Sequence, residues 1–242
     1  MISSMRILGV NVNIITMDEI VHALESRLRQ NLQSFVVTAN AEIIMMCQQD
    51  AAYKEILNSK ADFVLPDGAG AVWAGRYLGY EVVERVTGFD LWNKLLKLSV
   101  EQEWKVYFLG GMPGIAEAAK SKAESLYPGV QIVGVHDGYF KSNETEELLD
   151  EINESGAQML FVALGAPKQE RFIAEQRERL NARLLMGIGG SFDVFAGKMA
   201  RAPQWMQDAS LEWAFRLYKQ PSRFIRMLAL PKFALKVMLS RG

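Results

Sequence analysis

From Met5 to about Phe195 the sequence alternates short β-rich runs with amphipathic stretches of helical period, and no other feature restricts the fold as much. The expected strands are Arg6–Val10, Ser34–Thr38, Asp62–Leu65, Lys105–Leu109, Gln131–Val135, Met159–Leu164 and Leu184–Ile188. Between them, helices are expected over Met17–Arg29, Ala41–Asn58, Gly68–Leu78, Gly88–Glu101, Ile115–Leu126, Asn143–Glu154 and Pro167–Leu180. Such alternation reads as an α/β domain, Rossmann-like, with a mainly parallel sheet flanked by helices. Ligands of such sheets collect where loops leave the carboxyl ends of the strands. After Phe195 the strand pattern stops, and Ala209–Lys219 and Ser222–Ser240 read as two helices parted by Pro221. Pro231 is expected to kink or break the second. The division is thus a catalytic core over residues 1–197 and a helical appendage over residues 198–242.

Charge is distributed unevenly over these two parts. The chain carries 27 Lys and Arg against 28 Asp and Glu, yet residues 213–242 hold seven of the bases and none of the acids. A like-charged block at one end usually meets an anionic partner: nucleic acid, acidic lipid or a phosphorylated substrate. In this tail Trp213, Phe215, Leu217, Tyr218, Phe224, Ile225 and Phe233 interleave with Arg216, Lys219, Arg223, Arg226, Lys232 and Lys236. A basic, aromatic-rich amphipathic helix suits a membrane interface. The same pattern suits a helix pair packed on the sheet with a solvated basic face. No stretch reaches the ~18 uninterrupted apolar residues of a spanning helix. The N-terminal MISSMRILGVNVNIIT does not read as a signal peptide, so export and membrane insertion are disfavoured. Cys47, the single cysteine, lies in an apolar run and reads as a small buried hydrophobe.

Four short motifs fall at expected strand ends. Thr38-Ala39-Asn40-Ala41-Glu42 turns from strand to helix, where Thr and Asn are also helix caps. Pro66-Asp67-Gly68-Ala69-Gly70 puts a carboxylate beside two glycines, open to a ligand or serving as an N-cap. The run Leu164-Gly165-Ala166-Pro167-Lys168-Gln169-Glu170 presents N–H groups at a helix N-terminus, a ready anion site. Gly187-Ile188-Gly189-Gly190-Ser191-Phe192-Asp193 is a second glycine-rich turn. Phe192 occupies the third small-residue place of a dinucleotide fingerprint, which weighs against an NAD-dependent oxidoreductase. Neither a phosphate-binding G-x-x-x-x-G-K-[ST] loop nor a G-x-S-x-G elbow occurs. Two distant histidines, His22 and His136, with one cysteine cannot build a zinc set. There is no D-x-D pair to clamp a metal diphosphate, so arginines would have to do that work, and Arg85 and the tail supply them.

Together these motifs, with Glu84-Arg85-Val86-Thr87-Gly88-Phe89-Asp90, Gly138-Tyr139-Phe140, Arg201-Ala202-Pro203 and Leu211-Glu212-Trp213, resemble the WecG/TagA/CpsF glycosyltransferases. They occur in order along nearly the whole chain. The resemblance implies inverting, metal-independent transfer of N-acetylmannosamine from its UDP conjugate to the 4-hydroxyl of GlcNAc-diphospho-undecaprenol. In one branch this step builds the β(1→4) linkage unit of wall teichoic acid. Relatives use the uronic acid of that sugar, or other UDP-sugars, for surface polysaccharides. By resemblance Asp67 is the base, with Thr38, Asn40 and Gln169 as polar active-site groups. Arg85 would bind the diphosphate, Tyr139 would stack on uracil and Asp193 would hold the nucleotide-sugar. The appendage would close over the site and touch an anionic membrane, bringing Arg216, Arg223 and Arg226 to the phosphates. Self-association that hides this surface is a further implication. The expected location is cytoplasmic, at the inner face of the cell membrane, with no nucleic-acid partner and no cofactor. A peripheral membrane scaffold is the alternative of another class, and it leaves Asp67 and the glycine-rich loops without purpose.

Overall fold

A computed structural model describes residues 2–208, 211–219 and 228–240. Its centre is a six-stranded, wholly parallel sheet formed by β3 (Ser34–Ala39), β4 (Phe63–Pro66), β5 (Lys105–Gly110), β6 (Gln131–His136), β7 (Met159–Ala163) and β8 (Leu184–Gly187). The strand order is β4-β3-β8-β7-β5-β6. The chain builds outward from β3 to β4, crosses to β5 and β6, then returns through β7 and β8. The loops after β3, β8 and β7 therefore share the middle of the carboxyl edge, where such sheets bind ligands.

Alternation along each strand divides the core. Phe35, Val37, Leu160, Val162 and Leu185 face one layer, and Val36, Phe161, Leu184 and Met186 face the other. Strands buried on both faces read as continuous apolar runs, which is how these segments look in sequence. On the second face lie α1 (Met17–Arg29), α5 (Gly88–Glu101), α6 (Ile115–Leu126) and α9 (Ser191–Phe195). The first face is covered by α2 (Ala41–Met46), α3 (Ala51–Glu55), α4 (Ala69–Tyr77), α7 (Thr145–Glu154) and α8 (Lys168–Gln176). Helix α1 begins where expected because Thr16 and Glu19 form a reciprocal capping box, with Thr16 N–H donating to Glu19 Oε2 at 2.8 Å.

Three local expectations are corrected. Arg6–Val10 is not one strand but the bend of a hairpin, β1 (Ser4–Ile7) against β2 (Val10–Asn13). Leu8 and Gly9 both take positive φ, 48° and 80°, as a two-residue hairpin turn requires. The Asn13 side chain accepts from Val64 N–H at 2.7 Å, so the hairpin covers the open edge of β4. The helix expected over Ala41–Asn58 is broken. Asp50 caps a new start by accepting from Tyr53 N–H at 2.9 Å, and a π-helical turn over Ile56–Lys60 follows α3.

The third correction concerns the tail. Its described helices are α10 (Gln204–Asp208), α11 (Glu212–Lys219) and α12 (Ala229–Leu239). Pro231 lies at the start of α12, in the first turn, where a missing N–H costs no intrahelical bond. Residues 222–227, on which the expected kink or break also bears, lie outside the described residues. Helix α12 packs on α2 and α4, and its Phe233 and Val237 are buried in the core of that face. Trp213, Tyr218, Leu235 and Leu239 of the tail are exposed. Among the described residues no helix is long and apolar enough to cross a membrane.

Candidate active site

The chain leaves β4 at Pro66, and Asp67 is the first residue past it. Its N–H donates to Ala39 O at 3.1 Å, which ties the loop to the end of β3. Gly68, with φ of 82°, then makes a turn that side-chain-bearing residues resist. Gly68 rather than Asp67 holds the N-cap position of α4. Asn40 does cap its helix, with Oδ1 accepting from Ile43 N–H at 3.0 Å. That bond uses the amide oxygen, so the NH2 of Asn40 is not part of the cap. Thr38 lies under the start of α5, where a Cβ on Gly88 would come within 3.0 Å of its hydroxyl.

Thr38, Asn40, Asp67 and Gln169 line one cleft of about 210 Å³ at the carboxyl edge of the sheet. The fold thus gathers four residues scattered between positions 38 and 169. Tyr139 and Asp193 line a second cleft of about 600 Å³, which shares Gly165, Gly189 and Gly190 with the first. The two read as one continuous trough. Tyr139 is 70% exposed, and its N–H donates to Asp137 Oδ1 at 2.8 Å. Lys168 enters the same cleft, with Nζ 5.4 Å from the Phe140 ring centre and 3.3 Å from Gly138 O.

The expected phosphate-binding arginines are less gathered. Arg85 Nη1 lies 3.5 Å from Glu212 Oε2, and Glu212 itself lines the first cleft. Arg85 is therefore held at the rim by an acid of α11. Arg216 is on the same helix with its side chain outside the described residues, as Arg223 and Arg226 are entirely. Arg201 supplies a cation that the site residues read from sequence did not include. It lines the first cleft and is held by both carboxylate oxygens of Asp90, at 2.9 and 3.0 Å, over the Phe89 ring at 4.5 Å. The signal for it was the Arg201-Ala202-Pro203 motif, and nothing in its residue type alone distinguished it from other surface arginines.

Behind the cleft the groups are buried and tied together. Gln169 is 4% exposed and Glu170 1%. Burial pushes the Glu170 carboxyl above its ordinary range, against hydrogen bonds from Gln169 and Tyr53. Cys47 is buried as expected, its thiol pushed up to about 12 by desolvation. His136 closes on its own neighbour, with Nδ1 2.8 Å from Asp137 O, and His22 is on the surface. Among the described residues no three His, Cys, Asp or Glu gather as a metal site.

A family profile described as the glycosyl transferase WecG/TagA/CpsF family matches residues 5–242. An N-acetylglucosaminyldiphosphoundecaprenol N-acetyl-beta-D-mannosaminyltransferase of Bacillus spizizenii strain W23 is 38% identical over 217 residues, 90% of this chain and 83% of that protein. A protein of the same name from Bacillus subtilis strain 168 is 36% identical over 209 residues, 86% of this chain and 80% of its own. Read with the parallel sheet and the trough at its carboxyl edge, these matches place the chain in the WecG/TagA/CpsF family of glycosyltransferases.

Proposed function

We propose that the protein transfers N-acetylmannosamine from UDP-N-acetylmannosamine to GlcNAc-diphospho-undecaprenol, inverting the donor's anomeric centre without a metal ion. The observation that carries this reading is Asp67, standing where β4 meets the cleft in a chain 38% identical to a protein named for that transfer. An α-linked donor becomes a β-glycoside in one displacement. Asp67 takes the proton of the acceptor hydroxyl, the oxygen attacks the anomeric carbon, and the bond to the UDP phosphate breaks with its electron pair on UDP. Cations then stabilise the departing diphosphate. Arg201, which lines the cleft, and Arg85, paired with the lining Glu212, suit that task, with Arg216, Arg223 and Arg226 of the tail as further donors. Tyr139 and Asp193, in the adjoining cleft, suit the nucleotide half of the donor.

The acceptor is a lipid, and the tail suits its surface. Trp213, Tyr218, Leu235 and Leu239 are exposed, on helices that also carry Arg216, Lys219, Lys232 and Lys236. Polybasic contact with anionic lipid contributes about 1 kcal/mol per well-placed cation. The protein would thus work peripherally at the inner face of the membrane.

The test is Asp67→Asn, which keeps the side chain's shape and removes its basicity. The variant should fold with an unchanged melting temperature and lose transfer by a factor of about 10² to 10⁴, the usual contribution of a positioned base. Transfer at the wild-type rate would refute the assignment of the base.

A further inference from the structure

We propose that Glu170 is a positioning residue, which fixes the Gln169 side-chain amide so that its oxygen clamps the two glycine loops lining the trough. Gln169 Oε1 accepts from Gly165 N–H at 3.2 Å and from Gly189 N–H at 3.0 Å. These two glycines leave adjacent strands, β7 and β8, and both border the two clefts. One amide oxygen thus joins both loops at the point where the clefts meet.

An amide side chain has nearly the same shape either way round, so shape alone does not choose its orientation. Turned over, Gln169 would set an NH2 against two N–H donors. Glu170 chooses. Its Oε1 accepts from Gln169 Nε2 at 2.7 Å, and an unprotonated carboxyl oxygen in that place rejects the amide oxygen. Glu170 Oε2 is held in turn by the buried Tyr53 hydroxyl at 3.1 Å. Room for the amide comes from β8, since a Cβ on Gly187 would lie 2.6 Å from Gln169 Nε2. Glu170 lines neither cleft, so it acts through Gln169 and touches no substrate.

The kinetic part of the test rests on the transferase reading above; the exchange part does not. Glu170→Leu fills similar volume with no acceptor. It should speed amide hydrogen exchange at Gly165 and Gly189, leave β5 protected, and raise donor KM about tenfold with a smaller fall in kcat. Glu170→Gln, whose oxygen can still accept from Gln169, should recover most of both losses. Tyr53→Phe should leave exchange at the two glycines near wild type. Wild-type KM and exchange in Glu170→Leu would overturn the proposal, as would a Glu170→Gln variant equally impaired. Should Glu170→Leu fail to fold, exchange of the Gln169 NH2 in the wild-type protein decides: slow exchange supports the clamp, and exchange as fast as at surface glutamines overturns it. A wild-type protein with no transfer would defeat the transferase reading and leave the exchange result standing.

Discussion

Phe233 joins the tail to the catalytic edge, and removing its ring should disturb both. The side chain is 2% exposed and belongs to the core on the face formed by α2 and α4. A Cβ on Gly70, in the first turn of α4, would stand 3.8 Å from the Phe233 ring and 3.1 Å from Ala41 Cβ, in the first turn of α2. Phe233 therefore packs beside the very turns that Asn40 and Asp67 lead into. Phe233→Ala deletes a buried ring and leaves a cavity, which costs about 3–5 kcal/mol. In a chain of this length 1 kcal/mol lowers the melting temperature by about 2–4 °C, so a fall of at least about 6 °C is expected. Phe233→Leu, nearer in volume, should cost under about 1.5 kcal/mol. Thermal unfolding measures both, and initial transfer rates at a temperature where the variant is folded should fall for Phe233→Ala alone. A melting shift below about 2 °C would refute the packing of α12 on the core.

Two further outcomes follow from burial of ionisable groups. With its thiol pushed up to about 12, Cys47 holds almost no thiolate near pH 8, so iodoacetamide should label it only after unfolding. Rapid labelling of the native protein, followed by mass spectrometry, would contradict this. The Glu170 carboxyl is also raised, so its contribution to stability is full below the ordinary carboxyl range and is lost as pH rises. Glu170→Gln carries no charge to bury, and its melting temperature relative to wild type should improve as pH rises above the ordinary carboxyl range. A difference independent of pH, or one that moves the other way, would contradict the direction of the shift.

The sheet strands other than β6 were legible because each is a short, mostly buried apolar run between turn residues; β6, at the edge, exposes Gln131 and Val133. Met17–Arg29 and Gly88–Glu101 were legible to the residue, since Thr16 and Thr87 cap them with their side chains. The N-terminal hairpin was not, because Leu8 at positive φ gives no compositional warning beyond the glycine after it. Nor was the break after Met46: the apolar period of Ala41–Asn58 runs through it, and only the cap at Asp50 marks the restart. In the site, Asp67 and Asn40 each carried a cap reading and a functional reading. As to the caps, Asn40 holds the N-cap position of α2 and Gly68 that of α4. What sequence order could not supply is pairing across space. That Arg85 meets Glu212, that Arg201 meets Asp90, and that Gln169 bridges two loops all follow from chain crossings rather than from local pattern.

The central claim is tested most directly by offering the purified protein a panel of UDP-sugars with a synthetic GlcNAc-diphospho-prenol, in the presence of a chelator, and following UDP release and product mass. The account predicts a disaccharide-diphospholipid from UDP-N-acetylmannosamine at a rate well above that with UDP-GlcNAc or with the mannosaminuronate donor, and a β linkage in the product. Transfer that prefers another donor, requires an added divalent metal, or retains the donor's configuration would contradict it.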